Sequence, residues 1–303
     1  MPRIAYFGPQ GTFTEQAARS LAAEGDELLP VETITAALSA VRDGACEAAC
    51  VPVENSVEGP VTATLDGLAE RAPLVATAEA LLPVHFSVLT REDVGTVRTV
   101  ASHPHALAQV RQWVERNLPE ARTVVASSTA AAAVAVQRGE YDAAVTAPVA
   151  VEHYPLRVLA TEVADVADAR TRFLLLSPPG TLPEPTGADR TSIVAAAANR
   201  TGALAELLDE LATRGINLTR LDARPIKGNF GLYRFFIDFE GHVAETRIGD
   251  ALAALRRRCN NVRFLGSHPR ADGVEATIDP GAANQDFDEA ADWVAAVRAG
   301  SSA

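Results

Sequence analysis

The stretch "DARTRFLLLSPPG" (168–180) sets a hydroxyl and a guanidinium, Thr171 and Arg172, at the mouth of an apolar run, 173–176. Four consecutive apolar residues closed by Ser177-Pro178-Pro179-Gly180 predict a buried strand. An arginine at its start needs a partner, because an unpaired charge in an apolar setting is costly. Asp165 or Asp168 can supply one through a salt bridge. In the other reading Arg172 faces a cleft and a ligand. The choice depends on what this strand joins.

Working back from it, short β-like runs at 3–7, 48–53, 97–102, 123–126 and 141–145 alternate with amphipathic or Ala-rich helical stretches. The pattern predicts an α/β fold of largely parallel strands, with a ligand crevice beyond their carboxyl ends. The loops there are "GPQGTFT" (8–14), "ENSVEG" (54–59), "HPH" (103–105), "SST" (127–129) and "TAP" (146–148). Helix N-termini that follow such loops favour anions, so the loops suit a small molecule bearing carboxylates. Near 80–83 the text shifts, and "LLPVHFSVLT" (81–90) reads as a crossover strand into a second lobe, with the return near 156–160. Lobe 1 is then about 1–79 and 160–180, and lobe 2 about 80–159. Two crossings place Thr171, Arg172 and Phe173 near a hinge.

Working forward, "SPPGTLPEPTGAD" (177–189) is a Pro/Gly-rich linker, after which the pattern becomes βαββαβ over 190–268. Its first helix, "TGALAELLDELATRG", carries Leu204, Leu207, Leu208 and Leu211 at helical spacing, with Thr201 or Asn199 as cap and Gly215 as stop. This is a ferredoxin-like unit, either a structural appendage or a dimerising ligand sensor. The tail, 269–303, holds one helix at 287–298.

Composition bounds the function. A net charge of −12 argues against nucleic acid, which calls for a basic face. No stretch has the apolar length of a membrane span and the N-terminus lacks a signal-peptide layout, so a cytoplasmic protein away from membranes is expected. Cys46 and Cys50 are spaced Cys-x3-Cys without a second ligand pair, and read as small core residues. His103 and His105 flank a proline, again without acidic or cysteine partners for a metal. Lys227 is the only lysine and sits in the turn-like "KGNFG" (227–231), which disfavours Schiff-base chemistry. Phosphate-loop and dinucleotide glycine patterns are missing.

Four blocks in order, "GPQGTFTEQAA", "PVENSVEG", "SHPHALAQ" and Tyr154–Leu156–Leu159–Asp165 followed by Thr171-Arg172-Phe173-Leu174 and Leu176, resemble prephenate dehydratases with a C-terminal ACT regulatory domain, over nearly the whole chain. Two positions depart: His105 stands where the family often has glutamine, and Asp222-Ala223-Arg224-Pro225 where it usually has Glu-Ser-Arg-Pro. The resemblance implies a two-lobed catalytic domain like a type II periplasmic binding protein (1–180), a linker (181–189) and an ACT domain (190–268). It implies loss of CO2 and water from prephenate, giving phenylpyruvate, without metal or cofactor. It further implies feedback by phenylalanine as allosteric effector, in a homodimer or homotetramer.

Residue roles follow from the resemblance and from residue type. Thr171 donates to the leaving hydroxyl; Asn55 and Gln109 orient the ring and keto acid; Glu54, or a water, supplies the proton. Arg172 forks onto a carboxylate, with Ser56 and Thr12 as further substrate contacts and Phe173 as an apolar wall. Asn55 and Ser56 read equally as helix caps, and Glu58 as a first-turn charge. Gly202, Ala203, Leu204, Asn217 and Leu218 are expected to contact the effector. The rival readings are an arogenate dehydratase, whose substrate carries an amino group for the keto oxygen, and a cytoplasmic amino-acid sensor without catalysis.

Overall fold

The computed structural model describes residues 1–301 except Ala167, Lys227, Asn229 and Phe230; the turn lysine Lys227 thus lies outside the described residues. The chain divides into two units, Met1–Gly67 with Glu79–Pro178, and Leu68–Ala78 with Pro179–Ala303.

In the first unit, β1 (Arg3–Phe7), α1 (Phe13–Leu21), β2 (Glu27–Val31), α2 (Ile34–Arg42), β3 (Ala48–Asn55), the short β4 (Gly59–Pro60) and α3 (Thr62–Ala69) lead to β5 (Val75–Pro83). There follow β6 (Ser87–Thr90), β7 (Thr99–Ser102), α4 (Pro104–Gln109), α5 (Arg111–Asn117), β8 (Arg122–Val125), α6 (Thr129–Gln137), β9 (Ala143–Thr146), β10 (Arg157–Ala160) and β11 (Arg170–Ser177). One sheet runs β5-β11-β3-β1-β2 with β4 on β3; the other runs β10-β6-β9-β7-β8.

The expected parallel core is present: β1 pairs in parallel with β2 and β3, and β7 with β8 and β9. The strands nearest the crossings differ, for β11 is antiparallel to β3, and β6 is antiparallel to β9 and β10. A chain that leaves one sheet and returns meets it from the opposite direction. The single crossover strand read at 81–90 is two strands, broken after Pro83, which has no N–H to continue a ladder. β2 escaped the sequence reading because "ELLPV" neither alternates nor lacks proline, as befits an edge strand.

Burial follows the same division. Ile4, Tyr6, Ala17, Ala18, Cys50 and Phe173 close the space between the first sheet and α1. Val88, Val100, Ala106, Val110 and Val145 form a core on the second sheet. Cys50 is fully buried, and burial pushes its thiol up to about 12; such a thiol is inert.

The second unit contains β12 (Asp189–Ala196), α7 (Ala203–Ala212), β13 (Leu218–Pro225), β14 (Tyr233–Glu240), α8 (Thr246–Arg258), β15 (Asn261–Pro269) and α9 (Asn284–Arg298). Its antiparallel order β13-β14-β12-β15 is that of a βαββαβ unit. Leu207, Leu211, Ile248 and Leu255 of its helices pack on Ile193, Ile237 and Phe239 of the sheet. The sequence reading kept 1–180 together, whereas Leu68–Ala78 groups with this unit. Arg263 Nη1 donates to the carbonyls of Leu68, Glu70 and Arg71 at 3.0, 3.3 and 3.0 Å. Gly266 (φ +132°) pairs with Ala76 so closely that a Cβ would lie 2.2 Å from the Ala76 carbonyl oxygen. Only glycine fits there.

Candidate active site

The carboxyl ends of β1, β3, β7 and β8 and the first residues of β11 border a cavity of about 180 Å³. An apolar cavity of about 150 Å³ already takes benzene, so this one suits a six-membered carbon ring. Its apolar wall is Phe7, Phe13, Val84 and Phe86; its polar groups are Thr12, Thr14, Asn55, His103, His105, Gln109, Ser127, Ser128, Thr129 and Thr171. Among the described residues, no Asp, Glu, Lys or Arg lines it.

Three of the five polar loops reach it through helix starts. Thr12 caps α1, its Oγ1 accepting the Glu15 N–H at 3.2 Å. Ser128 caps α6, its Oγ accepting the Ala131 N–H at 2.9 Å. His103 caps α4, its Nδ1 accepting the His105 N–H at 3.3 Å. First-turn N–H groups lack intrahelical partners and carry partial positive charge, so α1 and α6 make this cavity attractive to carboxylates without a formal cation. The "TAP" loop at 146–148 does not line it.

The "GPQG" loop is fastened from behind. Buried Glu15 accepts the Gly11 N–H at 2.5 Å and sits 3.0 Å from His153 Nε2. The Tyr154 hydroxyl donates to the Gln10 carbonyl at 2.7 Å. Gly11 (φ +86°) has no room for a Cβ, which would meet Tyr154 at 2.9 Å. Thr12 is thereby held in place.

Thr171 lies opposite Asn55 because β11 runs antiparallel to β3, which brings the start of β11 to the carboxyl edge. Asn55 Oδ1 accepts the N–H groups of Val57 and Glu58 at 2.9 and 3.0 Å, and this turns its Nδ2 toward Thr171 Oγ1 at 2.8 Å. The threonine oxygen already accepts, so its own proton is left to donate into the cavity. Gln109 is 6% exposed, and its Oε1 is buried with no hydrogen-bond partner among the described residues. Its side chain is among those that line the cavity.

Four expected site residues lie elsewhere. Successive strand residues face opposite sides, so Arg172 points away from the cavity: its Nη1 is 3.5 Å from Glu79 Oε2 and its Nε 3.9 Å from Glu54 Oε2. The arginine is buried in ion pairs that include Glu79 and Glu54. Asp165 instead receives the Gln112 and Trp113 N–H groups at the start of α5. Glu54 shares the Arg172 face and does not line the cavity. Ser56 is taken up by the β11 backbone, its Oγ accepting the Arg170 N–H at 2.9 Å. Phe173 is 2% exposed within the core beneath α1, and the wall expected of it comes from the four apolar residues named above.

The sequence reading noted Ser127, Ser128 and Thr129 only as a loop. Their signal was the same strand–loop–helix layout as 8–14. His103 and His105 line the cavity, and among the described residues no group of three or more His, Cys, Asp or Glu side chains could hold a metal. Burial, then the charge of neighbouring His105, holds the His103 pKa below the ordinary imidazole value, with Glu58 opposing.

The expected effector residues occupy two ends of the second unit. Gly202, in a left-handed conformation (φ +80°), starts α7 with Ala203 and Leu204, following the end of β12 at Ala196. Asn217 and Leu218 open β13, where Leu218 pairs with Phe239 and Phe239 with Thr191 near the beginning of β12.

Comparison with known proteins is consistent over the whole chain. The sequence model of the prephenate dehydratase family matches residues 4–181. A prephenate dehydratase of Amycolatopsis methanolica is 78% identical over 304 residues, covering 100% of both chains. A solved prephenate dehydratase from Arthrobacter aurescens in complex with L-Phe is 43% identical, with a TM-score of 0.92 over 98% of this chain and 99% of that one. A structure described as a quorum-quenching acylase, GqqA, is 33% identical with a TM-score of 0.79, over 88% of this chain and 97% of that one.

Proposed function

The chain belongs to the prephenate dehydratase family, and on that premise we propose that the cavity between Thr171, Asn55 and Gln109 is where prephenate loses water and carbon dioxide. The substrate is a dianion: a cyclohexadiene with a ring carboxylate, a pyruvyl side chain and a hydroxyl opposite. Loss of the ring carboxylate as CO2 and of the hydroxyl as water takes up one proton and leaves phenylpyruvate. Aromatisation supplies the driving force, so the protein has to hold the geometry and assist the departing oxygen. Thr171 donates to that oxygen. Asn55 keeps the threonine proton free for it, Gln109 accepts from the substrate, and Thr12 with the starts of α1 and α6 receives carboxylate charge. Phe7, Phe13, Val84 and Phe86 exclude water around the ring. With Glu54 on the far face of the sheet, a water is the direct proton source.

The observation that carries this reading is the Asn55–Thr171 hydrogen bond with both Asn55 polar atoms committed. It is tested by Asn55→Asp. A carboxylate keeps the two backbone bonds but accepts the Thr171 proton instead of leaving it to the substrate, so turnover should fall about 10–100-fold with KM little changed. Assays use prephenate and arogenate side by side, which also decides between the two dehydratase activities. Wild-type turnover of neither substrate would leave the sensor reading standing.

The two sheets of the first unit, joined by chain crossings and bordering one cavity, support a two-lobed arrangement of the type II periplasmic-binding-protein kind. The catalytic domain would be 1–180, followed by the linker 181–189 and an ACT domain at 190–268. That domain would bind phenylalanine between two copies. Gly202-Ala203-Leu204 and Asn217-Leu218 lie at opposite ends of one sheet, so a pocket using both sets draws them from two chains, which makes the protein a homodimer or homotetramer. The relative solved with L-Phe supports the ligand. Calorimetric titration of the full chain should show saturable phenylalanine binding that weakens when substrate is present, as linkage requires. Absence of binding, or a monodisperse monomer in solution, would remove this part of the proposal. Among the described residues no helix is long and apolar enough to cross a membrane.

A further inference from the structure

The cavity must receive two carboxylates, yet among the described residues no lysine or arginine lines it. The side chains there able to carry positive charge are His103 and His105, whose rings stand edge to face with centroids 4.9 Å apart. They are not equivalent. His103 Nδ1 accepts the His105 backbone N–H to cap α4, and a nitrogen that accepts carries no proton. His103 is therefore neutral, protonated on Nε2, and charging it at Nδ1 would break the cap. Burial and the charge of its neighbour hold it in that state.

His105 is free of such a constraint. Its side chain is 63% exposed, and its Nε2 lies 3.9 Å from Glu58 Oε2. Glu58 and His103 are the titratable groups that face it. The strands packed against α4, β7 and β9, read Thr-Val-Ala-Ser and Ala-Ala-Val-Thr and contribute none. Asp165 sits at the far end of α4, its N–H bound to the Gln109 carbonyl and its carboxylate to α5. One imidazole of the pair can thus change charge while the other stays a neutral donor.

We propose that His105, as imidazolium, binds the carboxylate that the substrate keeps, the one on the pyruvyl side chain, with the neutral Nε2–H of His103 donating beside it. This assignment rests on the reading of the cavity as the substrate site. A cation held by a titrating group makes substrate affinity fall as the pH rises through the imidazole range. Turnover at saturation does not follow, because the contact exists equally in ground and transition states.

The test is steady-state kinetics on prephenate from pH 6 to 9, with wild type and His105→Gln. In wild type, KM should rise with pH while kcat stays level. His105→Gln, on an exposed position that the fold does not need, should raise KM at pH 6 about tenfold, the scale of one hydrogen bond to a charged group, and make KM insensitive to pH. A His105→Gln enzyme that keeps the wild-type KM profile overturns the proposal, as does a loss confined to kcat. Failure of the cavity reading itself would show separately, as normal turnover in Thr171→Ala, whatever His105 does.

Discussion

Thr171→Ala is expected to reduce kcat about 10²–10³-fold, with KM and thermal stability near wild type. The size is that of removing one pre-aimed donor from a developing oxyanion, about 3–4 kcal/mol. It falls on kcat because the departing hydroxyl carries little charge in the ground state and much more as the carbon–oxygen bond breaks. The structure sharpens the expectation. Thr171 Oγ1 already accepts from Asn55 Nδ2 at 2.8 Å, so its proton has no competing acceptor in that pair. The substitution removes one hydroxyl and one methyl at the rim of a cavity and leaves the β11–β3 ladder intact. Thr171→Ser, which keeps the hydroxyl, should restore much of the rate. Steady-state kinetics beside a thermal melt decides it; a folded Thr171→Ala protein with ordinary turnover would remove this residue from the mechanism.

Arg172→Ala should act on stability and hardly on KM. The resemblance alone assigns this arginine to a substrate carboxylate, which predicts the reverse. The guanidinium is 7% exposed and lies 3.5 Å from Glu79, itself 8% exposed. Deleting one member of a buried ion pair costs about 3–5 kcal/mol, which lowers Tm by roughly 10 °C in a unit of this size. Replacing both partners by Arg172→Met with Glu79→Gln should cost much less, since no charge is then buried. A denaturant series on the two variants and wild type measures the difference. A tenfold rise in KM with unchanged stability in Arg172→Ala would return the arginine to the substrate.

The residues that face the cavity were legible to different degrees. Thr12 and Asn55 were visible because a strand followed by a small polar loop and a helix start has a local signature, and hydroxyl and amide caps belong to it. His103, His105 and the Ser127–Thr129 stretch carry the same signature, yet nothing local distinguishes a helix cap from a ligand contact. Gln109 is named through the resemblance of "SHPHALAQ" to the family block and by no local pattern. Its orphaned oxygen appears once the second sheet is assembled.

By itself the sequence determined the alternation of strands and helices, the carboxyl-edge loops, the linker, and the βαββαβ pattern of 190–268. Each rests on hydrophobic period and turn chemistry within a dozen residues. What only the tertiary structure decided is which way β11 runs and which face its side chains take. Antiparallel pairing with β3 carries Thr171 to the cavity, and the pleat turns Arg172 the other way. Phe173, next along the strand, packs in the core beneath α1. One partner of Arg172, Glu79, lies 93 residues away in the chain, and Leu68–Ala78 joins the second unit through Arg263 and Gly266. Strand direction, register and ion-pair partner are settled by contacts between segments distant in sequence, where no local period reaches.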